Sequence, residues 1–413
     1  MLKRILVSIF ILVASISVAQ EGTTSPYSFF GIGTLKFKGT AENRAMGGIS
    51  VFSDSIHLNI QNPAGVANLR LVNYAVGASH KRISQKTTDE QQNAQTTSLD
   101  YLAIGIPMGK FGASFGLIPY TAVGYGISVR EEDFVSVYEG DGGLNRAFLT
   151  LAYTIYPGLN VGADVNYNFG NIENTATTRQ EGVQLGTREF NRSDLLGFSF
   201  NLGAQYKTMV TNDLELSTSI SYTPETDFVS ENSRTLSTFF LTNSGLVSTV
   251  DSRDVEVDDT DFTFPSQYTI GAGIGKPKNW FLGLEYTDQK TSNFTNRTFD
   301  IDNVEFTDAS KIRVGGFYIP NYNAVGSYAK RIVYRAGARF EETGININGE
   351  DINEFGISFG VGLPVGRIFS NINLGFEVGR RGTTSSGLVQ ENFFNTFLSL
   401  SLNDRWFDKR YYD

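Results

Sequence analysis

Histidine and cysteine supply much of the chemistry of catalytic and metal centres, and this chain has two of the first and none of the second. A thiolate nucleophile, a disulfide framework and a Cys-based metal site are therefore impossible, and two histidines cannot build a His-rich one. His57 follows Asp54 by three residues. A local bond between them, rather than catalysis, is the expected use. His80 follows an apolar strand start and is expected to face a lumen or a rim. The run "GAGIGK" invites a phosphate-loop reading, but Gly271, Gly273 and Gly275 lack the spacing, and Pro277 stands where Ser or Thr is required. In "FFGIGTL", Gly31 and Gly33 have no third glycine and no strand and helix to frame them. Asp251, Asp254, Glu256, Asp258, Asp259 and Asp261 crowd one polar stretch. Ca²⁺ takes about six to eight oxygens, yet no loop glycine or EF-hand spacing accompanies these, so a solvated acidic face is expected. No catalytic residue, metal or cofactor is expected, and the chain does not read as an enzyme.

What remains is architecture. The 413 residues include 43 Gly, 32 Phe and 19 Tyr against 10 Pro, a balance that suits strands and interfacial aromatics better than helices. A net charge of −9 excludes a nucleic-acid binder that depends on a concentrated basic surface. The opening "MLKRILVSIFILVASISVAQ" has the order of an export signal: Lys3 and Arg4, an apolar run from Ile5 to Val13, then Ser17 and Ala19. Cleavage after Ala19 is expected, leaving residues 20–413. The apolar run is short of the roughly 20 residues that a spanning helix needs. With no Cys after it, a lipoprotein anchor is excluded.

Alternation over about ten residues, one face toward lipid and the other toward a lumen, marks a membrane strand. In "LNVGADVNYNF", Leu159, Val161, Ala163, Val165, Tyr167 and Phe169 oppose Asn160, Gly162, Asp164, Asn166 and Asn168. "DLELSTSISY", "NINLGFEV" and "FNTFLSLSLN" repeat the pattern. Such segments fall near 71–82, 97–108, 110–120, 144–156, 158–171, 194–208, 212–223, 266–275, 279–289, 310–319, 331–342, 352–365, 368–379 and 392–403. Tight links such as "GK" and "KPKN" alternate with longer polar ones, the longest being 223–265; "NYNAVGSYAK" is long for its place. The pattern predicts an all-β fold, a 14-stranded antiparallel transmembrane barrel over 70–413 with both termini at the short-turn rim. Trp280, Trp406, Tyr411 and Tyr412 are expected at that rim as interfacial anchors.

A barrel this wide leaves a lumen that wall side chains cannot fill. Residues 20–69 are the expected plug. Asn62, Pro63 and Ala64 punctuate it, Pro63 fixing its own φ and holding Asn62 extended. Tyr27, Phe29, Phe30, Ile32 and Leu35 are expected either to form a hydrophobic pocket or to pack against the wall. In "GLIPYTAVGYGISV", Gly116, Pro119, Gly124 and Gly126 interrupt ladder pairing and are the expected site of a kink that opens the wall.

The stretch "NRAMGGISVFSDSIHLNIQNPAGVANL", Asn43 to Leu69, resembles the N-terminal hatch signature of the FadL-type outer-membrane channels, in which a small-residue segment leads into Asn-Pro-Ala before the barrel. The resemblance implies a hatch inside the lumen, held to the wall by Asn62, Pro63 and Ala64. It implies uptake of long-chain fatty acids or other hydrophobic small molecules, released sideways through a gap in the wall. The polar, acidic long loops and the lack of an amphipathic helical pair depart from that family's greasy entrance. Other barrels of this lineage resemble accessory subunits of secretion or outer-membrane protein assembly machinery, and that is the alternative. The expected surroundings are outer-membrane lipid and lipopolysaccharide, with a hydrophobic ligand or an envelope protein complex as partner.

Overall fold

The computed structural model describes residues 22–242, 247–294, 303–366 and 370–405. The expected signal segment and Trp406, Tyr411 and Tyr412 lie outside the described residues. The strands in order are β1 (Thr34–Leu35), β2 (Val72–Lys86), β3 (Gln91–Met108), β4 (Phe111–Pro119), β5 (Thr121–Glu131), β6 (Phe134–Tyr156) and β7 (Leu159–Gln180). They continue as β8 (Leu185–Met209), β9 (Glu215–Thr223), β10 (Thr226–Leu241), β11 (Val247–Val255), β12 (Thr260–Phe264), β13 (Gln267–Lys276) and β14 (Trp280–Gln289). The last are β15 (Val304–Phe306), β16 (Ala309–Tyr318), β17 (Val333–Ile347), β18 (Glu350–Val365), β19 (Ser370–Arg381) and β20 (Gln390–Asp404).

Every pairing is antiparallel, and the wall closes where β20 meets β2, from Val72 opposite Asp404 to Lys86 opposite Gln390. Setting β1 apart as part of the inner segment, and taking β4 with β5, β9 with β10, β11 and β12 with β13, and β15 with β16 as interrupted single strands, gives a closed wall of 14 strands. Closure matters because lipid offers no partner for an unpaired strand edge. The wall turns the usual burial pattern inside out. On β7, Val165 and Tyr167 are exposed on the outer face while Asn166 and Asn168 are buried inward; on β8, Phe198, Phe200 and Leu202 face out and Ser199 and Asn201 face in.

Strand lengths are uneven. β6, β7 and β8 have 23, 22 and 25 residues, whereas β13, β14 and β16 have 10 each. At about 3.3 Å per residue the long strands run roughly 73–83 Å, well beyond an apolar band of about 25 Å. The long-loop side of the barrel is therefore a raised sheet, with β10 and β11 built onto the same edge. The polar stretch 223–265, expected as a loop, is largely this strand pair.

Residues 22–71 lie within the wall. They contain β1, a single-turn helix α1 (Ala41–Ala45) and two 3₁₀ turns, Pro26–Phe29 and Pro63–Asn68. Ile49, Val51, Ala64 and Val66 are wholly buried. The apolar core is the seam between this segment and the wall: Leu58, Val66 and Leu69 meet Tyr101 and Phe148, and Ile49 and Val51 meet Phe281.

Candidate functional site: the filled lumen and the break in its wall

The Asn62-Pro63-Ala64 turn sits on β7, β8 and β9. Asn62 caps the 3₁₀ turn by accepting from Ala64 N at 3.0 Å, and its Nδ2 donates to the carbonyls of Ala204 and Ile220 at 3.4 and 3.3 Å. Asn59 Oδ1 accepts from Asn62 N at 3.0 Å and so fixes the approach. The wall makes room with glycines: a Cβ on Gly203 would stand 2.3 Å from Asn62 Oδ1, and one on Gly162 would stand 2.6 Å from the Pro63 carbonyl carbon. Side chains there would lift the turn off the wall.

Buried charge holds the rest. Glu285 on β14 accepts from Ser50 N at 2.8 Å, Ser50 Oγ at 2.7 Å and Arg313 Nη1 at 2.8 Å. Glu377 on β19 accepts from Arg44 Nε at 3.2 Å and from Arg339 Nε at 2.7 Å. Arg339 and Arg381 both bond Glu354. Lys38 reaches Asp164 at 3.6 Å, Asn373 donates to Glu42 at 2.7 Å, and Gln205 donates to the Val51 carbonyl at 2.7 Å. Removing one member of a buried pair strands its partner's charge, at about 3–5 kcal/mol. These clamps were not among the residues singled out from the sequence. Their signal was present as charges in the inward phase of alternating strands, as with Glu377 in "NINLGFEV".

His57 lies in the wall of a cavity of about 170 Å³ near the short-turn end, beside Phe52, Leu58 and Ile319. Its Nδ1 is 2.7 Å from Asp54 Oδ2, and Glu42 Oε1 is 3.9 Å from its Nε2. Burial alone would lower its pKa, but the charge and hydrogen bond of Asp54, with Glu42 behind, raise it above 6.5. Burial likewise opposes ionisation of Asp54, yet His57 and two backbone N–H groups hold it down at about 2. The arrangement is a local ion pair. His80 lies on the outward face of β2, between the inward-facing Ser79 and Lys81, with Nδ1 2.9 Å from Thr97 Oγ1.

The aromatic cluster divides. Phe29 packs edge-on against Phe30 and Tyr125, and Ile32 joins Val123, Phe228 and Phe264. Tyr27 packs with Ile347 and Ile352, and its hydroxyl donates to the Val389 carbonyl. Phe30, Ile32 and Leu35 also line a central cavity of about 290 Å³, whose other walls carry Lys36, Arg44, Lys81, Arg339 and Arg381.

Among the described residues the wall is interrupted between β3 and β5. β4 pairs with β3 only from Met108 to Leu102, after which Pro119 ends β4 and the strand resumes as β5 at Thr121. β5 stays on β6, but its other edge takes β1, Thr34 opposite Ala122, and Lys36 N donates to the Tyr120 carbonyl at 2.9 Å. Among the described residues no strand pairs with the corresponding edge of β3 from Gln91 to Tyr101. Pro119 stands at the break. Gly116 is still laddered to Ala103 and Phe148, Gly124 lies where a Cβ would meet the Thr23 carbonyl at 1.9 Å, and Gly126 has open space around it.

The BamG family model matches residues 1–413, the whole chain. The chain belongs to the BamG family. No curated protein matches this BamG-family chain by sequence. Its fold is shared by solved FadL-type channels at low identity. The CymD monoaromatic hydrocarbon channel superposes with a TM-score of 0.58 at 12% identity, over 89% of this chain and 98% of that one. The Pseudomonas putida toluene transporter TodX gives 0.56 at 15%, over 89% and 99%, and a Pseudomonas aeruginosa FadL homologue gives 0.56 at 12%, over 90% and 98%. The BamG-family chain therefore has the FadL-type barrel.

Proposed function

We propose that this protein is an outer-membrane barrel, exported by its N-terminal signal, that serves as a non-transporting subunit of an outer-membrane protein complex. The observation that carries this reading is the chemistry of the lumen. Residues 22–69 act as a hatch held to the wall between β14 and β19 by buried carboxylates and guanidinium groups, so an apolar solute meets charge and tightly bonded backbone there. A ligand pocket for such a solute is mostly apolar. Membership of the BamG family, with only 12–15% identity to the hydrocarbon channels, supports a role other than theirs. The raised polar sheet of β6–β8, β10 and β11 gives the subunit a large surface beyond the lipid. No catalysis is part of this reading.

The break between β3 and β5 favours a second reading, uptake of long-chain fatty acids or other hydrophobic small molecules. There the solute would leave or enter sideways past Pro119 and Tyr120, and the hatch would shift to release it. A pulldown of the tagged native protein in gentle detergent, analysed by mass spectrometry for proteins and lipids, separates the two. The subunit reading expects envelope proteins in fixed stoichiometry and no bound apolar compound. A lone barrel carrying fatty acid, lost on Asn62→Ala, would replace it with transport.

A further inference from the structure

The central cavity has a charge that the chain as a whole does not. Its lining carries nine Lys and Arg against five Asp and Glu, in a protein of net charge −9. Asp164 and Glu391, buried close by, reduce the excess to two. Most of the carboxylates are taken: Glu354 and Glu377 each serve two guanidinium groups, Glu285 serves Arg313, Glu341 serves Lys311 and Arg339, Asp100 serves Arg44 and Asp164 serves Lys38, while Glu391 has neither oxygen bonded among the described residues. Among the described residues, three lining cations have no carboxylate within salt-bridge distance. Lys36 Nζ bonds only the Gly22 carbonyl, and Lys81 Nζ stands 4.6 Å above the Phe393 ring. Arg146, 4% exposed, bonds Asn168 through Nε at 2.7 Å and stacks on Tyr120, yet its Nη2 has no partner.

Leaving a buried charge unpaired is costly, and three cations without a carboxylate partner around one cavity of about 290 Å³ call for an anion. A single carboxylate would match one of them. A phosphoryl group brings a charge of about −1.5 to −2 and three acceptor oxygens, which suits both the excess and the number of donors. Access is provided by the broken wall. Thr96, Ser98 and Asp100 on the unladdered stretch of β3 line the same cavity as Lys36 and Lys81.

We propose that the cavity is a binding site for a phosphoryl-bearing anion, with Lys36 and Lys81 on the phosphoryl oxygens and Arg146 Nη2 on a further acceptor. The phosphoryl group could belong to a lipid headgroup arriving through the break or to a soluble phosphate arriving from the aqueous end. The site stands independently of whether the barrel is a subunit or a channel.

The test uses the full-length barrel in neutral detergent, with its folded state checked by heat-modifiable gel migration. One arm titrates inorganic phosphate, pyrophosphate and laurate by calorimetry. The other places the protein in phosphatidylcholine nanodiscs with and without phosphatidic acid and reads bound lipid by native mass spectrometry. Saturable binding in the first arm assigns a soluble source, and in the second a headgroup. Lys36→Gln with Lys81→Gln is expected to weaken binding by about tenfold or more, Lys36→Arg with Lys81→Arg to retain it, and the exposed rim variant Lys276→Gln to leave it unchanged. Absence of saturation in both arms, equal binding of laurate and pyrophosphate, or indifference to the double Gln variant in a folded barrel would each overturn the assignment.

Discussion

At the scale of single residues, the Asp54–His57 pair should make the seating of residues 22–69 inside the wall depend on pH. Asp54 is depressed from 3.8 to about 2, so its contribution is complete above 3.8 and is lost as the pH falls toward 2. His57 is raised, so its contribution is complete below 6.5 and is lost as the pH climbs through its folded value. The pair therefore holds best between about pH 4 and 6.5, and the Asp54 shift corresponds to about 2 kcal/mol. Glu42 adds to the hold on the imidazolium, and Arg335 opposes it; Lys207 and Tyr322 also sense the Asp54 charge. Amide exchange of residues 54–59, corrected for intrinsic rates, should stay slow across that window and quicken above it. His57→Gln should give the faster exchange within the window and converge on the unaltered protein once the pH has passed the folded value of His57. An identical pH slope in the variant would show that another group sets it.

At the scale of elements, the wall glycines make room for the segment inside the wall. A Cβ on Gly315 of β16 would stand 2.1 Å from the Met46 carbonyl oxygen, and one on Gly337 of β17 would stand 2.2 Å from Gly47 N. Backbone is what they meet, so relief requires moving the turn after α1, and overpacking of this kind costs about 1–3 kcal/mol or more. Gly315→Ala and Gly337→Ala should leave a closed, heat-modifiable barrel whose Arg44 becomes open to trypsin, while Gly126→Ala, with open space around it, should behave as the unaltered protein. Protection of Arg44 in both variants would mean that the seat is elsewhere. The same elements mark what the sequence made legible. Alternation located the membrane-crossing part of all fourteen strands because lipid and lumen impose opposite demands on successive side chains. It missed the upper halves of β6–β8 and nearly all of β10 and β11, where "SENSRTLST" meets water on both faces and the period vanishes. Gly and Pro marked the neighbourhood of the break, and Pro119 ends β4, but which edge would be left open depends on β1 displacing β3. The clamps were invisible as pairs, because Arg44 and Glu377 are 333 positions apart.

At the scale of the whole molecule, the question is whether a barrel of fourteen strands is a pore. Its wall encloses more space than its own side chains fill, and what closes it is a segment joined to the barrel only at Leu71 and otherwise held by contacts. The apolar seams place residues 45–69 against β2, β3, β4 and β6 and against β14, and the charge clamps fasten Ser50 to that same β14 and Arg44 to β19. Arg339 is the hub of that charge, since Glu341, Glu354 and Glu377 all pair with it. Replacing it by Ala leaves buried carboxylates facing one another, at about 3–5 kcal/mol, which is comparable to what a locally folded segment has to lose. In planar bilayers the unaltered protein should pass little current, and Arg339→Ala should pass bursts as the hatch leaves and returns. The lipid-facing side of the wall is untouched, so insertion and strand closure should be unchanged and can be read from the heat-modifiable band. Steady large conductance in the unaltered protein would contradict a clamped lumen outright. Silence in a well-inserted Arg339→Ala barrel would instead mean that the glycine seats and apolar seams hold the hatch alone, and the charge network would then have to be explained by something it binds.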